Sequence, residues 1–309
     1  MTGTGRPAIR PAGPGDLAQL GPLYEQSGFG ARLAGVVGFA RARLDGEVVV
    51  AEAGGELVGV AAGAVFGAPR GTGGTRGTGE PGRSRGGGGT GGSGGPGGTG
   101  WVGGVAVVPA HRRAGLGGAL TEAIVEFLEG RGVATVLLHA TALGRPVYER
   151  LGFVPETAYV TLSGPTLARA STGAMVRAGR AADLAAVVAL DRAATGEDRR
   201  RLLTALWPTG GLVAAVDGRA LGYHLASPWR PAGATIAADA GTGLALLDAV
   251  RVAPGDEVAI SVPAANAAAV GWLESAGFQE RYRTIRMYRG PRVAWDPAAL
   301  FAAHNLFWG

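Results

Sequence analysis

Between Val105 and Leu120 the chain reads V-A-V-V-P-A-H-R-R-A-G-L-G-G-A-L: a strand-like run closed by Pro109, a short basic loop, and glycines that open an amphipathic helix. Such a loop offers bare backbone N–H groups, and Gly115, Gly117 and Gly118 let a ligand approach the backbone closely. The helix N-terminus contributes partial positive charge, and Arg112 and Arg113 add full charges. Together these features favour a pyrophosphate. Two better-known phosphate loops fit poorly. A dinucleotide-binding loop wants G-x-G-x-x-G directly after its strand, whereas six residues separate Val108 from Gly115. The nucleotide-binding loop G-x-x-x-x-G-K-[ST] needs a lysine, and this chain has none.

Composition narrows the chemistry further. All 29 basic residues are arginine, so no lysine amine can act as nucleophile or Schiff base. There is no cysteine, which removes disulfides, thiolate nucleophiles, acyl-cysteine intermediates and cysteine-ligated zinc. The four histidines, His111, His139, His224 and His304, never fall at ligand spacing, so no metal is expected. A net charge of +5 over 309 residues is a weak field, and arginine replacing lysine throughout reads as a codon preference. The longest apolar stretch, near 57–66, is about ten residues where a membrane span needs about 20, and the first residues lack an apolar leader. These features predict a soluble, cytoplasmic protein with no membrane partner.

Those chemical residues must be carried by a larger frame. A length of 309 suits two domains, and an internal repeat supports them. Ile9-Arg10 with Asp16-Leu17 returns as Val176-Arg177 with Asp183-Leu184 at an offset of 167, and Gly59 returns as Gly222 at 163. Gly152-Phe153 returns as Gly277-Phe278, but at 125. The lost register spans a tract, 71–100, with 17 glycines and no core-forming residue, which places the tract as an insertion inside the first repeat. Its three arginines and lack of aromatics fit a flexible loop better than a nucleic-acid tail, so no nucleic-acid partner is expected. The expected domains are 1–163, carrying a disordered insertion over 69–100, and 164–309, with a polar connector near 163–173.

Each repeat shows the same order of elements. The first has a strand at 8–12, helices over 15–27 and 31–44, a hairpin of 47–53 and 56–66, and a strand at 102–108. It continues with a helix over 115–131, strand 135–140, helix 145–151 and strand 154–162. In the long helix Leu116, Leu120, Ile124 and Leu128 form the apolar face. The second repeat follows with strand 175–178, helices 181–193 and 197–206, hairpin 211–227, strand 234–238, helix 242–250, strand 257–262, helix 266–276 and strand 280–288. The fold class is α/β with a mixed sheet, twice over.

The pattern Val107, Pro109, Arg112, Gly115, Gly117 resembles V-x-P-x-x-R-x-x-G-x-G, the acyl-coenzyme A motif of the GNAT superfamily of N-acetyltransferases. Tyr148 to Phe153, Y-E-R-L-G-F, is similar to the Y-x-x-x-G-F ending of that family's second motif. The resemblance covers about 5–163 strongly and 174–290 as a divergent copy, like tandem GNAT proteins. It implies acetyl-CoA as cosubstrate, its pantetheine arm running along Val105, Ala106 and Val107, and its pyrophosphate on the N–H groups of Arg113, Ala114, Gly115, Leu116, Gly117 and Gly118 beside Arg112. It implies the Val107 N–H as donor to the thioester oxygen and Tyr148 as the acid that protonates the leaving thiolate. Where the family often has Asn, this chain has Thr141, a partial replacement at best.

No carboxylate base stands on the strand before Thr141, where Val136 and Leu138 occupy the candidate positions. His139 lies in the opposite phase and reads as a packed or satisfied histidine rather than a base, while Glu52 and Glu56 are candidates for a relay through water. In the second repeat Gly241-Thr-Gly243 survives without arginine, Asp239 would repel phosphate, Leu273 stands where Tyr148 would, and Asn266 matches the family's Asn or caps a helix. That half reads as degenerate, with the tail from Trp295 to Gly309 packed on one of the domains. The expected function is transfer of an acetyl group from acetyl-CoA to the primary amine of a small molecule, in a monomer or homo-oligomer. A non-catalytic acyl-CoA sensor or interaction protein is the alternative.

Overall fold

The computed structural model describes residues 6–67, 97–165, 175–250, 252 and 258–309; the expected insertion falls almost wholly outside them. The first repeat forms β1 (Ala8–Pro11), α1 (Pro14–Leu17), α2 (Leu20–Gln26), α3 (Arg32–Arg43), β2 (Glu47–Ala53) and β3 (Glu56–Phe66). After the insertion come β4 (Thr99–Val107), α4 (Leu116–Gly130), β5 (Thr135–Ala140), α5 (Arg145–Arg150) and β6 (Val154–Gly164). The second forms β7 (Val176–Ala178), α6 (Leu184–Thr195), α7 (Arg200–Leu206), β8 (Gly211–Val216), β9 (Arg219–Leu225) and β10 (Ala234–Ala237). It ends with α8 (Ala240–Ala249), β11 (Val258–Pro263), α9 (Ala267–Ser275), β12 (Gln279–Arg289) and β13 (Leu300–Ala302). Two details differ from expectation. Thr99 and Gly100 belong to β4, held between Phe66 and Val65 on one side and Thr135 and Val136 on the other. A short β13, unmarked by any sequence pattern, closes the tail.

The repeat is physical as well as textual. Arg10 donates to Asp16 at 2.6 and 3.1 Å, and Arg177 donates to Asp183 at 2.7 and 2.7 Å. Each aspartate also caps the backbone N–H three residues before it, Gly13 and Arg180. The same six-residue clamp therefore fastens the first strand of each half to its first helical turn.

The two sheets do not correspond to the two halves. One runs β1-β2-β3-β4-β5-β12-β6-β11, the other β13-β10-β9-β8-β7. The last strand of the second half, β12, pairs with β5 (Arg286 opposite His139), while β6 of the first half pairs with β11 (Leu162 opposite Ile260). The exchanged strands then pair with each other. Each half thus completes its sheet with a strand from the other.

Helix α4 covers one face of the first half, and its apolar stripe explains the glycines beneath it. A β-carbon at Gly59, Gly63 or Gly100 would lie 2.8 to 2.9 Å from Leu120, Ile124 or Leu128. The opposite face carries α2 and α3, with Tyr24 and Val37 meeting Gly104. Burying Leu116, Leu120, Ile124, Val125 and Leu128 under this stripe is the main support of α4, at about 1.5–3 kcal/mol for each large apolar side chain removed from water.

Candidate active site

Strand β4 creates the site by leaving its neighbour. It pairs with β3 along its length but with β5 only from Thr99 to Trp101; beyond that the two strands part. A bulge lies at the point of parting, since Ala62 faces Gly103 while Val60 faces Ala106. Gly104 adopts φ +60°, a conformation that favours glycine, and the buried Tyr24 hydroxyl donates to the Gly104 carbonyl at 2.9 Å. Further along, Val108 N donates to Val58 O at 3.0 Å. Strand alternation then turns the N–H and C=O of Val107 toward the opening.

The loop beyond β4 is wound by two left-handed residues, Arg113 (φ +64°) and Gly115 (φ +78°), and delivers the chain into α4. Among the described residues, the N–H groups of Arg113, Ala114, Gly115, Leu116, Gly117 and Gly118 have no acceptor within the chain. Space is left above them. A β-carbon at Gly115 would meet nothing within 4 Å, one at Gly117 would lie 3.9 Å from Val107, and one at Gly118 would lie 3.4 Å from Val147. Internal packing therefore does not demand glycine at 117 or 118, whereas a ligand lying on the backbone would. Arg112 does not point freely outward: its Nε donates to Val107 O at 2.9 Å and its Nη2 to Ser27 O at 2.8 Å, tying the loop to the end of α2.

The first turn of α4 also brings the second motif into place, because Gly117 borders Val107 and Gly118 borders Val147 beside Tyr148. Tyr148 is half-buried at the edge of this opening, packed on Phe153 at 6.1 Å, and burial pushes its phenol up to about 12. Thr141 Oγ1 accepts from Gly144 N at 3.2 Å, so its hydroxyl supports the start of α5. Of the two relay candidates, Glu52 is drawn into the Arg10 clamp, whereas Glu56 stands two residues before Val58, whose carbonyl accepts from Val108 N at the end of β4. Glu52 binds Arg10 at 2.7 Å on β2, two strands from β4, and Glu56 sits at the turn into β3.

Other ionisable groups line β4 on the face away from α4. His139 stacks on Trp101 (centroids 5.3 Å) and meets Tyr159 edge-on (4.4 Å). It is packed, as expected; neither ring nitrogen has a partner, and burial, followed by the nearby Arg286, pushes its pKa down to about 3. Glu197, from the loop between α6 and α7, crosses from the second half, and its Oε2 accepts from Trp101 Nε1 at 2.8 Å and Thr99 Oγ1 at 2.9 Å. Burial pushes this carboxyl up to about 7. Beside it Arg199 is paired with Asp191 at 2.6 and 3.1 Å and donates to the carbonyls of Trp308 and Gly309. Nothing in the local sequence around Glu197 announced this contact, since it depends on how two halves meet. No group of three or more metal-ligating side chains occurs among the described residues, and no helix there is long and apolar enough to cross a membrane.

A diverging strand pair capped by a bare glycine loop defines a class of acyl-coenzyme A folds, and sequence models agree. The model described as acetyltransferase (GNAT) family matches residues 22–153, and that described as acetyltransferase (GNAT) domain matches 187–302. The chain belongs to the GNAT acetyltransferases and carries two GNAT domains in tandem. No curated protein matches it in sequence. Among solved structures, a protein from Pyrococcus horikoshii described as a putative acetyltransferase is similar at a TM-score of 0.72 and 17% identity, covering 100% of this chain and 98% of the other. A tandem GNAT protein from the clavulanic acid biosynthesis pathway has a TM-score of 0.57 at 16% identity, covering 93% and 99%. A GCN5-related N-acetyltransferase from Sphaerobacter thermophilus has 0.54 at 18%, covering 96% and 99%. At these identities the likeness speaks for the fold.

Proposed function

We propose that the first half is an acetyl-CoA-dependent N-acetyltransferase acting on the primary amine of a small molecule in the cytoplasm. The observation that carries this reading is the run of acceptor-free N–H groups from Arg113 to Gly118 beside the parted strands β4 and β5. Six acceptor-free donors at a helix N-terminus suit a pyrophosphate, and the open edge from Val105 to Val107 suits an extended, amide-bearing arm that pairs as a strand would.

When bound, acetyl-CoA supplies an activated acyl group as a thioester. The chain's part is to hold charge and move one proton. The amine nitrogen bonds to the acyl carbon and the carbon–sulfur bond breaks. Val107 N–H points into the opening and meets the negative charge that builds on the acyl oxygen, a contribution worth about 10²–10³ in rate. Tyr148, kept protonated by burial, gives its proton to the departing thiolate. The amine's proton leaves to solvent, and the Tyr148 phenolate regains one from solvent. With no cysteine in the chain, a route through an acyl-cysteine is closed.

Calorimetric titration with acetyl-CoA, repeated on Gly117→Glu, tests the reading. Binding that is abolished by the substitution, followed by acetylation of an amine in a screen, is expected. Binding without turnover on any amine would favour the alternative, an acyl-CoA sensor, and absence of binding at millimolar concentration would reject both.

A further inference from the structure

The internal repeat allows each half to be read against the other. In the first half β4 and β5 part beyond Trp101, and no described strand enters the gap. In the second half the equivalent strands, β10 and β11, do not pair with each other, and β13 stands between them. Thr235 lies opposite Ala302 and Ile236 opposite Leu300, while Ala303 N donates to Ser261 O at 2.8 Å on the far side. Asn266, at the position of Thr141, turns its amide into the gap and donates to Ala298 O at 2.9 Å and Leu300 O at 2.8 Å.

The anion site is taken in the same way. Asp239 caps α8: its Oδ1 accepts from Thr242 N at 2.9 Å and its Oδ2 from Thr242 Oγ1 at 2.7 Å, bonds that hold the carboxyl below the usual range. A carboxylate therefore already sits at the helix N-terminus that matches the bare end of α4. Phe301 covers the adjoining turn so closely that a β-carbon at Gly243, the counterpart of Gly117, would lie 2.4 Å from its ring.

We infer that the second half is a self-liganded copy of the cofactor fold: β13 occupies its strand gap and Asp239 its anion site, so the chain offers one acyl-coenzyme A site. The second cleft serves instead as a socket for the tail. Leaving β13, the chain turns at Asn305, whose Oδ1 accepts from Phe307 N at 2.7 Å and Trp308 N at 3.1 Å, and lays Phe307 on Gly103 of β4. Admitting a cofactor to the second cleft would break both Asn266 bonds, expose the buried Phe301 and set phosphate against Asp239. The inference rests on the proposed function only for what such a cleft would otherwise hold.

Hydrogen–deuterium exchange on the intact protein, with and without millimolar acetyl-CoA, tests it together with calorimetric stoichiometry. Slow exchange over 300–303 that acetyl-CoA leaves unchanged is expected, with gained protection at 113–118 and one equivalent bound. Loss of protection over 300–303 on adding acetyl-CoA would overturn the inference, because the strand would then be displaceable. A second equivalent that survives Gly117→Glu would overturn it while leaving the proposed function standing. No binding, with 300–303 still protected, would remove the proposed function and uphold the socket.

Discussion

The ring of Phe307 lies against Gly103, so close that a β-carbon there would sit 2.5 Å from two of its atoms. A residue near the end of the second half therefore packs onto the strand that forms the first half's site, two residues beyond the last β4–β5 pair. Gly103→Ala is expected to destabilise by about 1–3 kcal/mol through overpacking. In a Phe307→Ala background the same change should cost little, since the ring that it meets is gone. Denaturant unfolding of the two singles and the double measures this; an equal cost in both backgrounds would disprove the contact.

Tyr148→Phe should lower kcat by about 10²–10⁴ while leaving acetyl-CoA affinity within a few-fold of the parent, because the ring's packing on Phe153 survives and only the transferable proton is lost. The parent's phenol, pushed up to about 12, should remain protonated across the neutral range, so no basic limb near pH 10 should come from this group. Steady-state kinetics beside calorimetry separates the two quantities.

Glu197→Gln keeps an oxygen acceptor for Trp101 and Thr99 but removes the ionisation. In the native state burial holds this carboxyl at about 7 against 4.5 in the unfolded chain. Between those values the unfolded chain has released a proton that the native state retains, so stability falls as pH rises through the window. The advantage of the Gln variant over the parent should therefore grow by on the order of 3 kcal/mol from pH 4.5 to 8. A pH-independent difference in Tm would place the carboxyl outside the buried environment.

The buried histidines act in the opposite direction. His224 is held at about 4, and His139 and His304 at about 3, chiefly by burial, against 6.5 when unfolded. Below 6.5 the unfolded chain takes up protons that these imidazoles refuse, so stability is lost as pH falls, at roughly 1 kcal/mol per pH unit for each. Trp308 Nε1 faces His304 Nδ1 at 3.3 Å, which requires that nitrogen to be unprotonated. Thermal melts between pH 7 and 5 should show a falling Tm, and His304→Gln should flatten part of the slope.

The glycine loop was legible because its chemistry is local: Pro109, the arginines, the glycines and the apolar stripe of α4 all lie within one stretch of chain. The order of elements was legible for the same reason, from periodicity. Alternation marks 154–162 and 280–288 as strands but is silent on which strand each pairs with, so the exchange of β6 and β12 left no sequence signal. Glu197 on Trp101, Asn266 turned onto β13 and Phe301 over Gly243 are contacts between segments far apart in sequence. Each is decided by packing alone. Arg112, read as a ligand for phosphate, spends two of its nitrogens on carbonyls of its own chain, a choice that charge counting cannot reveal.

The exchanged strands also set a timetable. The outer edge of β5, complete at Ala140, has no native partner until residues 279–289 have been made, about 140 residues later, or roughly 10 s at ordinary elongation rates. Through that interval a nascent first half presents unpaired backbone on a buried-type strand, an invitation to wrong pairings. Because β12 must then enter between β5 and β6 rather than add at a border, the final step is an insertion of high contact order and correspondingly slow. Released chains truncated before residue 279 should be conspicuous clients of chaperones that shield open strand edges, and the full 309-residue chain should not.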